Sequence, residues 1–392
     1  MGLPLEGLRV IDLTKDFAGP FCTMLLSDLG AEVIKIEKPG MGDETRAWGP
    51  PFIKGLSYYF LSLNRGKKSV TLNLKTGEAQ KIVRQLVRDA DILVESFRPG
   101  TLLQYGLDYP RLRRINKALV YCSISGFGQT GPYRNRPGYD LVAFAMSGIM
   151  STTGEEGRPP IRVSTPVADI AAGHYAATAI LASLAKRLVT GRGDCIDISL
   201  LDSIVSWLTY NATYYFATGK QPPRMGSAHP SIVPYQAFKC KDTELVIAVG
   251  NDQQWKSLCG AVGLHSLLED RRFVTNPLRV RNRTALIPIL SKLFRKQRAA
   301  YWHRLFLQSR VPSTSVYNIG DVVRDAQVLR RGLIVHPKSK TPQLGTPLLL
   351  SGSKTRSYSK PPKLGEHTSL ILRELGYPES TLKRLRAIGS IG

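Results

Sequence analysis

Strand-like and helix-like segments alternate through the first 125 residues, and this order limits the possible folds more than any other feature of the chain. Short apolar runs typical of buried strands occur at 8–13, 32–38, 69–74, 91–97 and 119–125. Segments with helical spacing occupy 19–29 and 76–90. Because strands joined by helices in this way pair in parallel with right-handed crossovers, the sequence predicts an α/β fold on a doubly wound parallel sheet.

The remainder of the chain divides at 219–235, a stretch rich in Pro, Gly and Ser that is typical of a linker. Before it, an apolar helix is predicted at 140–150 and a strand at 195–200. After it, 236–320 is predicted to form a second unit. The final seventy residues are predicted to be rich in loops, with a last helix near 368–375.

A second apolar helix is predicted at 170–189, closed by Gly191. Its uncharged part, 170–185, has 16 residues, which is short of the about 20 apolar residues that span a bilayer. We therefore expect a buried core helix and no membrane partner. The sequence enters its first strand almost at once, and we expect no targeting segment within it.

The chain carries a large positive excess, with 54 Lys and Arg against 30 Asp and Glu and a formal net charge of +24. Such a surplus favours anionic partners, including nucleic acid, acidic membranes and phosphorylated small molecules. The most basic stretch, 271–320, holds eleven basic residues and no acid. Within it, 271–298 has only two aromatic rings, those of Phe273 and Phe294. We therefore interpret 271–298 as a solvated helical face and expect no nucleic acid partner.

The five cysteines are odd in number, lie far apart and form no CxxC pair. This usage is typical of a reduced compartment and predicts neither a disulfide framework nor a zinc site. The sequence also contains no HExxH or Walker A motif and no Ser/His/Asp set. We expect no metal and no tightly bound cofactor.

The turn after the first strand runs from Asp12 to Pro20 without the GxGxxG fingerprint, which argues against a dinucleotide site. Its small residues Ala18 and Gly19 let a ligand approach backbone N–H groups at a helix N-terminus, where anions are favoured. An ordinary tight turn explains the same residues, so both interpretations stay open.

Charged, polar and aromatic residues follow the later strands. Lys38 comes after the second strand, Asn73 and Lys75 after the third, and Ser96 and Phe97 after the fourth. The carboxyl ends of parallel strands share one edge of the sheet, where ligands bind. Taken singly, each residue is more often a solvated charge or a core aromatic, but together they favour a phosphorylated nucleotide.

Asp169 stands at the start of the long apolar helix. A carboxylate there is stabilised by the helix dipole, so it can cap the helix. It can also act as a nucleophile that forms an acyl intermediate, with helix N–H groups holding the oxyanion. Among the histidines, we interpret His174 as a core residue and His229 as better placed to line a cleft.

Several blocks of sequence together indicate a family. They are 8–14 (LRVIDLT), 18–20 (AGP), 29–37 (LGAEVIKIE), 64–69 (NRGKKS), 94–100 (VESFRPG), 125–132 (SGFGQTGP) and 365–368 (GEHT). In these blocks, and over nearly its whole length, the chain resembles the class III CoA-transferases.

The resemblance implies a large CoA-binding Rossmann-like domain at 1–220, a smaller α/β domain at 221–325, and a segment at 326–392 that returns to the large domain. It also implies an interlocked homodimer and acyl-CoA thioesters as substrates. The nucleophile would be Asp169, which would form an anhydride and then an aspartyl-CoA thioester. CoA contacts would fall on Lys15, Asp16, Phe17, Ala18, Lys38, Leu72, Asn73, Lys75, Ser96, Phe97, Gln104, Tyr105 and Tyr139.

Three positions depart from the family pattern. Phe17 stands where the formyl-CoA transferase has a glutamine beside the thioester. Lys38 replaces an arginine, which keeps the charge but loses the bidentate fork. A mobile glycine run that covers that active site corresponds to Gly250 through Gln253 here, which bears on whether this loop acts as a lid.

The 2-methylacyl-CoA racemases share this fold and supply the alternative function. They use a His/Asp pair as two bases, with the histidine in a Gly-His-Asp triplet thirty residues before the aspartate. Here the triplet is Gly138-Tyr139-Asp140. A phenol with a pKa of about 10 is a poor base at neutral pH, so Tyr139 favours the transferase.

We therefore predict transfer of CoA from a dicarboxylyl-CoA such as succinyl-CoA to a dicarboxylate such as glutarate. Arg162, His229, Tyr235 and Gly250 are candidates for substrate contacts, the first three for the distal carboxylate. The resemblance and the basic character of the chain predict a mitochondrial matrix location.

Overall fold

The computed structural model describes residues 2–336, 341–353 and 358–392. The chain forms two compact units. The first comprises Met1–Ile149, Arg162–Thr213 and Leu329–Gly392, and the second comprises Met150–Ile161 and Tyr214–Val328. No feature of the sequence indicated that 150–161 belongs to the second unit.

A six-stranded parallel sheet organises the first unit. Its strands are β1 (Arg9–Leu13), β2 (Glu32–Glu37), β3 (Lys67–Thr71), β4 (Ile92–Glu95), β5 (Val120–Ser125) and β6 (Cys195–Ser199). Their order across the sheet is β3-β2-β1-β4-β5-β6. The order reverses between β1 and β4, and in such sheets ligands bind beyond the strand ends at this reversal.

Helices fill the connections of the first unit. They are Ala18–Asp28, Tyr58–Leu63, Gly77–Arg88, Thr101–Gln104, Tyr109–Ile115, Asp140–Met146, Val167–Thr190, Leu200–Val205, Thr368–Glu374 and Glu379–Ala387, with single 3-10 turns at Glu44–Ala47 and Ser206–Leu208. Three further helices, Ile149–Thr152, Thr209–Thr218 and Ala326–Arg330, each begin in one unit and end in the other. Two-residue strands pair Phe52–Ile53 with Leu56–Ser57 and Ile334–Val335 with Gln343–Leu344.

The structure corrects three of the predicted elements. The third strand lies at Lys67–Thr71 rather than 69–74, because Lys67 is itself buried. The helix predicted at 140–150 is broken at Gly148, which has a φ of 86°. The helix at Thr368–Glu374 is not the last, since Glu379–Ala387 follows and buries Leu382 and Leu385 in the core.

The second unit contains a three-stranded antiparallel sheet and a helical layer. Its strands are β7 (Tyr235–Lys239), β8 (Glu244–Ala248) and β9 (Ser313–Ser315), in the order β9-β8-β7. Its helices are Asp252–Val262, Ser266–Glu269, Asn276–Arg281, Arg283–Phe294, Ala299–Gln308 and Ile319–Val322. Trp255, Phe273, Phe294 and Phe306 form its core.

The helix Val167–Thr190, called the long helix below, is longer than predicted and ends at Gly191 in the left-handed conformation. Its length and composition would allow it to cross a membrane, but half of its most apolar window is buried. Ala171, Ala172 and Ile180 are fully buried. This burial is that of a core helix, as the sequence predicted.

Gly173 allows the long helix to approach the helix Ala18–Asp28 closely. A Cβ atom at Gly173 would lie 2.8 Å from the carbonyl oxygen of Ala18 and 2.8 Å from the ring of Phe21. Both distances are shorter than carbon atoms tolerate, so a larger residue would push the two helices apart.

We therefore expect Gly173→Ala to lower the free energy of unfolding by about 1–3 kcal/mol, measured by denaturant titration. Gly260→Ala is the matched control, because Gly260 is also helical but a Cβ atom added there would meet no other atom within 4 Å. There alanine should be neutral or stabilising by up to about 1 kcal/mol. Equal effects of the two substitutions would contradict the close approach.

Candidate active site

Two adjoining cavities open beyond the carboxyl ends of the parallel strands. The larger, of about 600 Å³, is lined by residues that follow β1, β4, β5 and β6 and by the start of the long helix. The smaller, of about 220 Å³, is lined by residues at the ends of β1, β2, β3 and β4. Lys15, Ser96 and Phe97 line both cavities. A single elongated ligand can therefore reach from one into the other.

The strand reversal lies where the cavities meet. The backbone N–H of Lys15, after β1, donates to Oγ of Ser96, after β4, at 3.0 Å. This hydrogen bond joins the two strand ends between which the sheet order reverses. The site therefore occupies the position that this topology favours for ligands.

Most of the predicted site residues line these cavities. Those on the larger one are Lys15, Asp16, Phe17, Ala18, Ser96, Phe97, Tyr139, Arg162 and Asp169. The smaller one adds Lys38, Leu72, Asn73, Lys75 and Tyr105. Gln104 lines neither of them.

Three further predicted residues belong to the second unit. The ring centroids of His229 and Tyr235 lie 5.5 Å apart, and the backbone N–H of His229 donates to the Tyr235 carbonyl oxygen at 3.0 Å. The N–H of Gly250 donates to Oε1 of Gln254 at 2.7 Å.

Asp169 is a half-buried carboxylate in the first turn of the long helix. Among the residues that the structure describes, no donor is hydrogen-bonded to its side chain. Burial, together with the nearby carboxylates of Asp140 and Asp16, raises the pKa of Asp169 to about 8. A carboxylate that water and cations do not stabilise is a stronger nucleophile than an exposed one.

Asp140 performs the capping that the sequence also allowed for Asp169. Its Oδ1 accepts hydrogen bonds from the N–H groups of Ala168 at 2.8 Å and Asp169 at 3.3 Å. The capping interpretation of Asp169 is therefore wrong, because another carboxylate occupies that position. The Asp169 side chain is left available to a substrate.

The helix N–H groups predicted to hold an oxyanion are already bonded. Those of Ala168 and Asp169 donate to Asp140, and that of Ile170 donates to the Pro166 carbonyl oxygen at 3.0 Å. The structure gives no support to an oxyanion site at these three groups.

The turn after β1 brings Asp16 into the larger cavity. Asp16 has a φ of 68°, a left-handed conformation that aspartate tolerates better than most residues. Its Oδ1 is buried with no hydrogen-bond partner among the described residues. Burial raises the pKa of Asp16 to about 6, although Lys15 opposes the shift.

Aromatic side chains that sequence reasoning missed form a wall of the larger cavity. Tyr59 packs edge-on against Trp48 at 4.9 Å and against Phe17 at 5.9 Å between ring centroids. Burial and the charge of Asp169 raise the pKa of Tyr59, so it stays a neutral phenol. Trp48 and Tyr59 lie outside any periodic segment, and the only sequence signal for them is the aromatic cluster at 58–60.

Three arginines, two of them missed by sequence reasoning, add positive charge to the larger cavity. They are Arg98, Arg134 and Arg136, and the Arg136 guanidinium lies 3.8 Å from the centroid of the Tyr133 ring. The sequence signal for Arg134 and Arg136 was their place just before Tyr139 in a loop after a strand. In the described residues, no group of three or more His, Cys, Asp and Glu side chains is arranged to hold a metal ion.

Comparisons with known proteins agree with this geometry. The model of CoA-transferase family III matches residues 5–368. The chain belongs to CoA-transferase family III. This membership confirms the resemblance on which the sequence analysis relied.

Individual family members match over nearly their whole length. The chain is 46% identical to the succinyl-CoA:glutarate CoA-transferase of Mus musculus, over 99% of this chain and 90% of that protein. It is 40% identical to the succinate–glutarate CoA-transferase of Agrobacterium fabrum, over 96% and 97%. A CAIB/BAIF family protein from Brucella suis has a similar structure, with a TM-score of 0.87, 42% identity and coverage of 96% and 100%.

We expect Asp140→Asn to lower the pKa of Asp169 from about 8, because the amide keeps an oxygen for the helix N–H groups but removes a negative charge. The pKa is measured by ¹³C NMR of aspartate carboxyl carbons, with the Asp169 signal assigned by its absence from Asp169→Asn. Asp202→Asn, at an exposed aspartate on another helix, is the control and should leave the value unchanged. An unchanged or higher pKa in Asp140→Asn would contradict this account.

Proposed function

We propose that this CoA-transferase moves CoA from succinyl-CoA to glutarate or a similar dicarboxylate, with Asp169 as the nucleophile. The observation that carries the proposal is the half-buried Asp169 carboxylate, unpaired among the described residues, at the wall of a cavity that adjoins a basic, aromatic one. The names of the mouse and Agrobacterium relatives support the choice of substrates.

In the first half of the reaction, an oxygen of Asp169 attacks the thioester carbonyl of succinyl-CoA. The carbon–sulfur bond breaks, CoA leaves as the thiolate, and a mixed anhydride joins Asp169 to the succinyl group. The thiolate then attacks the aspartyl carbonyl, which releases succinate and leaves an aspartyl-CoA thioester.

The second half repeats these steps in reverse order with the acceptor. A glutarate carboxylate attacks the aspartyl-CoA carbonyl, which forms a new anhydride and frees the thiolate again. The thiolate attacks the glutaryl carbonyl, which yields glutaryl-CoA and restores the Asp169 carboxylate. The bridging oxygen of this second anhydride comes from glutarate and stays on Asp169.

The two cavities suit the two ends of the CoA molecule. We assign the nucleotide to the smaller cavity, where Lys38 and Lys75 supply charge for phosphates and Phe97 and Tyr105 supply ring faces. The pantetheine arm would pass Lys15 and Ser96, which line both cavities, to bring the thioester to Asp169. Gln104, outside both cavities, would contribute at most at the rim.

Positive charge in the larger cavity suits the distal carboxylate of a dicarboxylic acyl group. Arg162 lines this cavity, and its guanidinium is near enough to Asp140 to oppose the rise in that residue's pKa that burial causes. We propose Arg162 for this contact. His229, Tyr235 and Gly250 belong to the second unit, and their predicted substrate contacts stay predictions. We also propose that the enzyme works in the mitochondrial matrix, in keeping with its basic pI near 10.0.

Asp169→Asn should reduce the rate of CoA transfer at least a thousandfold. The neutral amide is a much weaker nucleophile than a carboxylate and cannot form the mixed anhydride. With glutarate labelled by ¹⁸O in its carboxylates, the wild-type enzyme should carry ¹⁸O on Asp169 after turnover, detected by mass spectrometry of the peptide. The control Asp202→Asn should transfer CoA at the wild-type rate. Transfer by Asp169→Asn near that rate, or label on a different residue, would disprove the mechanism.

We further propose that the enzyme is a homodimer, in which a second copy covers the apolar side chains exposed on the first unit. Leu188 and Val189, at the end of the long helix, are 88% and 89% exposed, and Trp207 and Tyr210 are exposed on neighbouring helices. A contiguous exposed apolar patch is typical of a protein–protein interface, and we propose that these side chains belong to one.

Leu188→Glu combined with Val189→Glu should therefore shift the protein toward the monomer in sedimentation velocity experiments, because it places charges in the buried interface. Leu370→Glu is the control, since Leu370 is an exposed leucine on another helix. A wild-type protein that sediments as a monomer would refute the dimer.

A further inference from the structure

The residues Gly389–Gly392, called the tail below, pack against the turn that follows β3. Ser390 is fully buried and Ile391 is 3% exposed. The carbonyl oxygen of Ser390 accepts a hydrogen bond from the N–H of Asn73 at 2.9 Å, and that of Gly389 accepts one from Nδ2 of Asn73 at 3.3 Å. Segments more than 300 positions apart in the sequence are thereby joined.

A chain of hydroxyl groups fixes the same turn from its other side. Oγ of Ser390 donates to Oγ1 of Thr76 at 3.0 Å, and Thr76 donates in turn to the Asn73 carbonyl oxygen at 2.9 Å. Thr76 also accepts the N–H of Ala79 at 3.3 Å and so caps the helix Gly77–Arg88. The N–H, the carbonyl and the side chain of Asn73 are therefore all bonded directly to the tail or through Thr76.

The turn held in this way forms one wall of the smaller cavity. The residues of this wall are Leu72, Asn73, Leu74 and Lys75. A surface loop after a strand is normally free to move. Each hydrogen bond to the tail restricts this turn and so keeps Lys75 in the wall of the cavity. A preorganised wall binds a ligand more tightly because less conformational entropy is lost on binding.

We propose that Ser390 is a positioning residue for the CoA nucleotide, which it affects through Thr76 and Asn73 without touching it. This inference rests on the proposed function, in which the smaller cavity holds the nucleotide. It assigns to the last residues of the chain a role in substrate affinity that none of the sequence motifs indicated.

The test compares succinyl-CoA with succinyl-pantetheine, a thioester that lacks the nucleotide. Ser390→Ala should raise KM for succinyl-CoA about three- to tenfold, the range expected for one net hydrogen bond. It should leave kcat for succinyl-CoA, and both constants for succinyl-pantetheine, within twofold of the wild type. A merely structural role would instead lower activity equally with both thioesters.

Substitutions of the partner and of a neighbour sharpen this test. Thr76→Val removes the hydroxyl to which Ser390 donates. The double variant Thr76→Val, Ser390→Ala should therefore lose no more affinity than Thr76→Val alone. Thr76→Ser keeps the hydroxyl and should behave as the wild type. Ser369→Ala is the control. It removes a hydroxyl that accepts a hydrogen bond from Arg386, between the last two helices, and not one that bonds to the turn, so KM should be unchanged.

Calorimetric titration with free CoA separates this inference from the proposed function. If the wild type binds CoA but transfers none, the proposed function fails while the role of Ser390 is still measured as a Kd. An unchanged Kd for CoA in Ser390→Ala would overturn the positioning role, whatever reaction the enzyme catalyses.

Discussion

Two buried ion pairs beneath the turn after β1 support the whole site. Lys67 Nζ lies 3.1 Å from Asp12 Oδ2, and Lys35 Nζ lies 2.9 Å from Asp43 Oδ2, with all four side chains almost fully buried. Removing one partner of such a pair leaves an uncompensated buried charge and costs about 3–5 kcal/mol. The same side chains also hold Thr14. Its backbone N–H donates to Asp12 Oδ1 at 2.9 Å, and its carbonyl oxygen accepts from Lys35 Nζ at 2.8 Å. The turn that carries Lys15 and Asp16 is therefore rigid.

Asp12 and Asp169 show how one protein gives two aspartates opposite properties. Burial would raise the pKa of Asp12, but the adjacent Lys67 and Lys35 outweigh it and hold that pKa well below its usual range. Among the residues that the structure describes, no cation pairs with Asp169, and its neighbours Asp140 and Asp16 are carboxylates, so its pKa is raised. The first aspartate is therefore held as an anion, whereas the surroundings of the second disfavour its charged form.

The sheet and most of the cavity wall were predictable because they depend on local patterns. Apolar runs and the residues that follow them gave the strands and thus Lys38, Asn73, Ser96 and Phe97 at one edge. Trp48 and Tyr59 were missed because Trp48 follows a short 3-10 turn and Tyr59 lies in a helix of six residues, which is too short for its periodicity to report on burial. Asp140 was recognised only as part of a triplet, since a cap supplied from 28 positions away in the sequence leaves no local signal.

By itself, the sequence determined the order of strands and helices and the family, and it made Asp169 the candidate nucleophile, because each of these depends on contiguous residues. Only the tertiary structure decided that Asp140 rather than Asp169 caps the long helix, that Lys67 pairs with Asp12, and that Ser390 supports the turn at Asn73. These contacts join residues between 28 and more than 300 positions apart, and their partners are chosen by how the elements pack. Burial and charge at a site are sums over all such neighbours, so they exist only once the chain has folded.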